Sequence, residues 1–426
     1  MTRNSLLQEI TAKEKISAIL NRSVPVLMGI YIFFNPFPHT TAIKEICFYS
    51  TAGIVILLIF LKKADFSFKS PITLPFVLFV IWVFIGLFSA LDQENSIHDF
   101  FKHLLKYLVI YYILINFFNS KKRFEILSWI IIISASIFSI GSIGYFYKIL
   151  GHSASERMGF AGIAAINNIG FITLPAMLLS LNFFIKENKL HSKVILLICL
   201  SVTLTASLLT QTLGTLIGII ISFLVLFTKN KKALIVFSLL LVILLGVMPV
   251  KNRITSDNIQ NRFKLKNVER VKIWHTYFQI IKDHPIKGLG FGMLTYTDKE
   301  MLDKYKQYKA KAPDKYRPSR FHPPHNMLID ITVRLGFVGL ALFLYILSML
   351  IYVGYRMIKH GKDNFIRKWA LCLLAVMVAF LIQSIFVDIL YHVYLIILYT
   401  IFAMTTILWR INVQPDSTIL QKTITS

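Results

Sequence analysis

The stretch ITLPFVLFVIWVFIGLFSAL at residues 72–91 contains no charged side chain, and it decides the class of protein to which this chain belongs. A helix of about 20 mostly apolar residues spans the hydrocarbon core of a bilayer. Similar stretches recur along the 426 residues, of which 56% are hydrophobic and only 16% are charged. A soluble domain of this size needs more polar surface. The chain is therefore predicted to be a polytopic membrane protein.

The apolar stretches predict an all-α fold with about twelve transmembrane helices. The first 22 residues are polar, and no short apolar segment with a cleavage site precedes the first span, so we expect no removable signal peptide. The span that begins at 326 is long, and it is expected to break near Gly336. The predicted spans cover residues 24–37, 45–61, 72–91, 104–119, 124–148, 163–185, 193–209, 213–228, 233–249, 326–355, 368–387 and 390–411.

The charges of the short loops predict how these helices are oriented. Lysine and arginine are enriched in the cytoplasmic loops of membrane proteins. In this chain they collect in every second short loop, whereas the alternate loops carry few basic residues. Both termini are therefore expected in the cytoplasm. The basic loops lie at residues 62–69, 121–123, 186–193, 229–232 and 356–368.

This orientation divides the chain into four parts. We expect an N-terminal membrane domain at 1–249, a large outer loop at 250–325, C-terminal membrane helices at 326–411 and a cytoplasmic tail at 412–426. The loop has 17 Lys and Arg residues against 7 Asp and Glu residues. An outward loop with this charge is predicted to meet an anionic partner. The alternative is solvated charge beside lipid headgroups.

Within the large loop, residues 268–284 are predicted to form an amphipathic helix. Such a helix is expected to lie on the membrane surface with Trp274 at the interface. Pro285 ends it, because proline cannot continue a helix. The apolar residues that recur at helical spacing are Val271, Trp274, Phe278 and Ile281.

Two further segments of the loop have a distinctive composition. The sequence GLGFG at 288–292 is not followed by the Gly-Lys-Ser/Thr of a phosphate-binding loop, so we interpret it as a tight turn. Residues 300–320 are rich in lysine and tyrosine, and they are expected to form a mobile helix or arm.

The strongest local candidate for chemistry is His322-Pro-Pro-His325-Asn326, immediately before a span. A histidine at a membrane boundary can change protonation near neutral pH and act as a general base. A purely structural histidine is the alternative. His325 is the candidate base, and His322 and Asn326 are candidate supporting residues.

Three cations near the outer face are candidates for binding an anion. Arg157 follows the fifth span, Arg270 opens the amphipathic helix, and Lys106 lies one turn inside the fourth span. Guanidinium groups bind phosphate oxygens with paired hydrogen bonds, so several together suit a diphosphate. Each of them alone is more consistent with a contact to a lipid headgroup, and the sequence does not show whether they converge.

Asp330 and Arg334 lie four residues apart on one face of a predicted membrane helix. Charges inside a membrane are costly and are usually paired. Two roles for this pair stay open, an internal salt bridge and the lining of a substrate pocket.

Four segments in order resemble the O-antigen ligase and polymerase superfamily of bacterial membrane glycosyltransferases. They are similar to that family's Arg-Gly…Asn, Thr-x-Ser/Thr-Arg-Gly/Ala, Arg-x-x-x-Trp…Pro-x-x-Gly-x-Gly and His-Asn…Gly-x-x-Gly segments. The resemblance covers roughly residues 155–350. The segments are RMGFAGIAAINNIGFITLPAMLLS at 157–180, LLTQTLGTLIGII at 208–220, ERVKIWHTYFQIIKDHPIKGLGFG at 269–292 and HNMLIDITVRLGFVGLALFL at 325–344.

The resemblance implies a GT-C-like transferase in the bacterial inner membrane that acts on the periplasmic side without a metal or cofactor. The donor would be a glycan on undecaprenyl diphosphate. His325 matches the family's motif histidine, Arg270 its loop arginine and Arg157 its earlier arginine, while Lys106 matches more loosely. Leu213 stands where the family has arginine, and Arg334 stands where it often has an acidic residue, so Arg334 is a candidate replacement for the lost cation.

Two reactions fit this resemblance. In a ligase the acceptor is a sugar of the lipid A–core, and in a polymerase it is another lipid-linked repeat unit. The ligase is the favoured prediction, because a single large loop adjoins the predicted base. A transporter or flippase of lipid-linked sugars is the alternative from another class, and a non-catalytic scaffold is a third.

Overall fold

The computed structural model describes residues 3–153, 156–159, 166–228, 257–313, 317–318, 323–387 and 392–414. Throughout these residues the regular secondary structure is helical, and they contain no strand. Within them, nine helices are long and apolar enough to cross a membrane, and two more apolar helices are shorter. The prediction of an all-helical polytopic membrane protein is therefore confirmed, whereas the number twelve and the GT-C-like architecture stay predictions.

The apolar helices correspond one by one to the predicted spans, apart from span 233–249, which lies outside the described residues. Two loop helices, α9 (Asp257–Asp283) and α10 (Lys299–Lys311), lie between the last three apolar helices and the others. The apolar helices are α1 (Arg3–Phe34), α2 (Thr41–Phe60), α3 (Thr73–Leu87), α4 (Gln93–Phe117), α5 (Lys121–Ile149), α6 (Ile166–Lys186), α7 (Leu190–Leu209), α8 (Leu213–Leu226), α11 (Met327–His360), α12 (Asn364–Ser384) and α13 (His392–Val413).

Helix α4 begins eleven residues before the predicted span 104–119, because its first turns are polar and capped. The Asp92 side chain accepts a hydrogen bond from the Asn95 amide at 2.9 Å, which satisfies a donor at the helix start. A π-helical segment at Phe100–Leu105 follows within the same helix. Lys106 therefore lies near the middle of α4, and its expected place one turn inside the outer end was wrong.

Several serines inside the bundle bond the backbone of their own helix. Ser128, Ser136 and Ser139 each donate to the carbonyl four residues earlier, at 2.7–3.0 Å. A hydroxyl buried without a partner would be costly in an apolar medium. These serines therefore pack between helices without opening the bundle to water.

The helix ends separate into two faces, as the alternating orientation requires. On the basic face, Lys121 pairs with Asp363 at 2.6 Å, and the Arg410 guanidinium bonds the carbonyl of Ser67 at 2.7 Å. On the opposite face, the Leu91 amide donates to the Leu289 carbonyl at 2.8 Å. The described part of the large loop thus packs at the end of the bundle opposite these basic contacts, while the side of the membrane on which it lies stays a prediction.

The large loop contains its own small hydrophobic core. Helix α9 (Asp257–Asp283) packs against α10 (Lys299–Lys311) and against the first turns of α11. The buried residues of this core are Ile273, Tyr277, Ile280, Ile281, Leu289, Tyr296, Met301, Tyr305, Ile329 and Val333.

This core bears on two expectations. The buried face of α9 is centred on Ile273 and Tyr277, whereas Val271 and Phe278 of the predicted face remain 46% and 50% exposed. Residues 299–311 form a helix, one of the two forms expected for this segment, and Met301 and Tyr305 pack it into the core. On α9, Trp274 and Ile281 of the predicted face do contact the core, so the neighbouring elements selected part of that face.

The predicted break in α11 occurs at Gly336, where φ is 68° and ψ is −175°. A break deprives the preceding carbonyls of their usual helical donors. The glycine-rich turn supplies replacements, since the Leu289 and Gly290 amides donate to the carbonyls of Val333 and Arg334, both at 2.9 Å. The GLGFG segment is therefore a structural turn that closes the break.

Candidate active site

His325 lies at the entrance to α11, two residues before the helix begins. It is half-buried, and its φ of 47° is in the left-handed region that residues other than glycine rarely adopt. Asn326 caps the helix, because its side-chain oxygen accepts from the amides of Leu328 and Ile329 at 2.9 and 3.2 Å. Backbone strain of this kind collects at functional sites. The imidazole is thus attached to a fixed helix N-terminus.

Helix α9 connects His325 with Arg270. The Trp274 indole nitrogen donates to the Pro324 carbonyl at 2.8 Å, immediately before His325. Arg270 lies one turn earlier on α9, on the same face as Trp274 because their spacing is four. The Arg270 guanidinium lies 5.5 Å from the centre of the Phe386 ring. Arg270 therefore lies on the face of α9 that also bonds the peptide immediately before His325.

Arg157 belongs to the same end of the bundle. Its Nε donates to the Thr210 carbonyl at 2.6 Å, just before α8 begins. At the start of α8, a Cβ added to Gly214 would lie 2.9 Å from Phe386 Cδ2, so this helix end touches the ring on which Arg270 lies. Arg157 thus contacts the turn before α8, and Phe386 lies between the start of that helix and Arg270. That the two arginines converge on one anion stays a prediction.

Lys106 is held in another set of contacts. Its ammonium bonds both carboxylate oxygens of Glu45, at 2.5 and 2.6 Å, and lies 4.9 Å from the centre of the Phe48 ring. Glu45 and Phe48 belong to α2. These contacts differ from those of the arginines, so the part of Lys106 in an anion site stays a prediction.

Asp330 and Arg334 form an internal salt bridge at 2.8 Å, with side chains that are 0% and 1% exposed. The Tyr296 hydroxyl donates to the same Asp330 oxygen at 2.7 Å. Arg334 also donates to the Gly292 carbonyl, and so it attaches the glycine-rich turn to α11. These contacts assign the pair to the junction between turn and helix, while the replacement of a cation missing at Leu213 stays a prediction.

The loop contains three other histidines, His275, His284 and His322. His322 lies outside the described residues, and His275 lies within α9. His284 follows α9, and its Nε2 accepts from the Lys304 ammonium at 2.9 Å. Burial, and then the Lys304 charge, lower the pKa of His284. Because its Nε2 is already engaged, His284 is a poorer candidate base than His325.

Sequence reasoning missed Gln211 and Phe386. Gln211 has a φ of 48°, and within the described part of the chain its buried amide oxygen has no hydrogen-bond partner. It occupies the variable position between Thr210 and Thr212, where no residue type was expected. Phe386 resembled any other apolar residue at a helix end. The described residues contain no group of three His, Cys, Asp or Glu side chains arranged to hold a metal ion.

Comparison with known proteins finds relatives over much of this chain. The family model described as O-antigen ligase matches residues 193–344. A protein of Rickettsia bellii that carries the name "Putative polysaccharide ligase" is 28% identical over an alignment of 305 residues that covers 68% of this chain and 69% of the relative. A similarly named protein of Rickettsia typhi is 26% identical over 324 residues, covering 68% and 75% of the two chains. The matched region contains Arg270 and His325 but not Arg157.

Proposed function

This chain belongs to the O-antigen ligase superfamily, and we propose that it transfers O-antigen polysaccharide from undecaprenyl diphosphate to a sugar of the lipid A–core. The family supports a polysaccharide ligase activity in general, and the donor and acceptor are our proposal. The observation that carries it is the hydrogen bond from Trp274 to Pro324, which places His325 beside the helix that bears Arg270. One end of the bundle thus holds both a base and a cation.

Arg270 and Arg157 are proposed to bind the donor diphosphate. A guanidinium makes paired, charge-assisted hydrogen bonds to phosphate oxygens, and preorganised cations stabilise the charge that develops on a leaving diphosphate. Arg157 is anchored through Nε, which donates to the Thr210 carbonyl beside the start of α8. Lys106 joins this site only if its ammonium exchanges Glu45 for the diphosphate.

His325 is proposed to accept the proton of the acceptor hydroxyl. The acceptor oxygen then forms a bond to the anomeric carbon as the bond from that carbon to the phosphate oxygen breaks, and the diphosphate leaves with the electron pair. Because this is a single displacement, the anomeric configuration inverts. General base catalysis of this kind contributes about 10²–10⁴-fold to a rate. The phosphate leaving group needs charge stabilisation more than it needs a general acid.

The surroundings proposed for this reaction follow from the orientation. The site would face the periplasm of a bacterial inner membrane, with both termini in the cytoplasm. The lysine-rich loops on the opposite face support this, because basic residues stay on the cytoplasmic side. The positive charge of the large loop would attract the phosphates of both lipid substrates.

The test is transfer by the purified protein from undecaprenyl-diphosphate-linked glycan to rough lipopolysaccharide, followed by gel mobility. We expect the lipid A–core to shift to a ladder. Lengthening of the lipid-linked chains with an unshifted core would instead identify a polymerase of the same superfamily. If neither pool changes, both enzyme proposals are wrong, and movement of lipid-linked sugar across vesicle membranes becomes the activity to measure.

Substitution of Arg270 with lysine tests the diphosphate contact within this assay. Lysine keeps the charge but loses the paired geometry. A hydrogen bond to a charged group is worth roughly 1.5–3 kcal/mol, so kcat/KM should fall about 10–100-fold. Arg317→Lys is the matched control, since that arginine of the same loop donates to the carbonyls of Ala310 and Ala312. Equal losses in both variants would count against a diphosphate contact at Arg270.

A further inference from the structure

We propose that Trp274 is a positioning residue, which holds the His325 imidazole in its working orientation through the backbone. This inference rests on the proposed function, because it gives His325 a reaction to perform. Trp274 itself touches no reacting atom in this proposal. Its indole nitrogen donates to the Pro324 carbonyl at 2.8 Å.

The acceptor of this hydrogen bond determines what the bond controls. The Pro324 carbonyl and the His325 amide belong to one planar peptide unit. Fixing the direction of the carbonyl therefore fixes the tilt of that plane, and with it the φ angle of His325. The observed φ is 47°. The imidazole leaves the chain at an angle that an extended or right-handed backbone would not give.

Energetics explain why such a tether is needed. A residue other than glycine in a sparsely populated backbone region is strained, and it persists only where the surrounding structure holds it. A hydrogen bond from a neighbouring helix opposes that strain. The cap from Asn326 fixes the other side of His325. Trp274 and Asn326 thus hold His325 from both directions along the chain.

The position of Trp274 on α9 also couples the base to the proposed diphosphate site. Arg270 and Trp274 lie on one face of a helix that Ile273 and Tyr277 anchor in the loop core. The spacing between the base and the cation is therefore set by one rigid helical turn. An error of about 1 Å in such a spacing can cost about 100-fold in rate.

The experiment replaces Trp274 with phenylalanine, which keeps an aromatic ring and removes the donor. We expect kcat for transfer to fall about 10–100-fold, while KM for donor and acceptor changes less than about twofold. The pH dependence of kcat should keep its shape, because the base itself is unchanged. Trp129→Phe is the matched control, since this half-buried tryptophan of α5 stacks on Phe183 and lies outside the proposed site. It should retain the wild-type kcat.

A second measurement does not depend on transfer. Diethyl pyrocarbonate modifies accessible histidines, and mass spectrometry gives the rate at each one. Trp274→Phe should change the rate at His325 severalfold and leave His39 unchanged, which also has a positive φ of 57°. If Trp274→Phe changes the modification rate at His325 but the wild-type protein transfers no glycan, the positioning role is kept and the proposed function is rejected. Wild-type kcat in Trp274→Phe, or an unaltered His325 rate, would overturn the inference.

Discussion

Transfer by the His325→Asn variant is expected to fall about 10²–10⁴-fold, since the substitution removes the proposed general base. Asparagine is chosen because it tolerates the left-handed backbone that His325 adopts at φ 47°. The entrance to α11 and the cap from Asn326 should therefore survive. Initial rates of ladder formation on the lipid A–core, at saturating donor and acceptor, measure the effect.

The control for this variant is His39→Asn. His39 also has a left-handed backbone, and it lies in the turn between α1 and α2. Its substitution should leave transfer within about twofold of wild type, as for most surface changes. A His325→Asn protein with wild-type kcat would show that another group, or none, takes the acceptor proton. The diphosphate site could still stand in that case.

Gly336→Ala is expected to cause the largest loss of stability of any single methyl addition in α11. The backbone at φ 68° and ψ −175° is open essentially only to glycine, and forcing alanine into it costs about 1–3 kcal/mol. In addition, the new Cβ would overlap the Ile286 carbonyl, and overpacking of this kind costs about 1–3 kcal/mol more. The midpoint of thermal unfolding in detergent should fall sharply.

Gly354→Ala in the same helix is the matched control. Nothing lies within 4 Å of a Cβ added at Gly354, and alanine is favoured over glycine in a helix by about 1 kcal/mol. Its unfolding midpoint should equal or exceed that of wild type. If Gly336→Ala unfolds at the wild-type temperature, then the turn at 288–292 does not depend on the break in α11.

The elements that the sequence placed correctly are those decided by local hydrophobicity and local backbone chemistry. An uncharged stretch such as 72–91 has few stable environments other than a bilayer, so α3 and its counterparts could be predicted from composition alone. The break near Gly336 could be predicted because glycine alone allows that backbone. The pairing of Asp330 with Arg334 was one of two open readings, and their spacing favours it.

The elements that the sequence misplaced depend on a partner distant in the chain. Lys106 pairs with Glu45, 61 positions earlier, and the sequence around Lys106 does not predict that partner. The buried face of α9 turned toward Ile273 and Tyr277 because α10 and the first turns of α11 pack there. A pattern of apolar residues gives the faces that a helix could bury, and the neighbouring elements select one of them.

In the candidate site too, the residue types depend on local chemistry and their contacts depend on distant partners. The sequence by itself determined the membrane class and the basic loop, because these follow from hydrophobicity and charge, and it predicted His325, Arg270 and Arg157 as candidates from their side-chain chemistry. Only the tertiary structure decided that Trp274 bonds the peptide before His325 and that Arg270 lies on the Phe386 ring. Such contacts join residues from about 50 to well over 100 positions apart, and their geometry arises from the packing of whole helices.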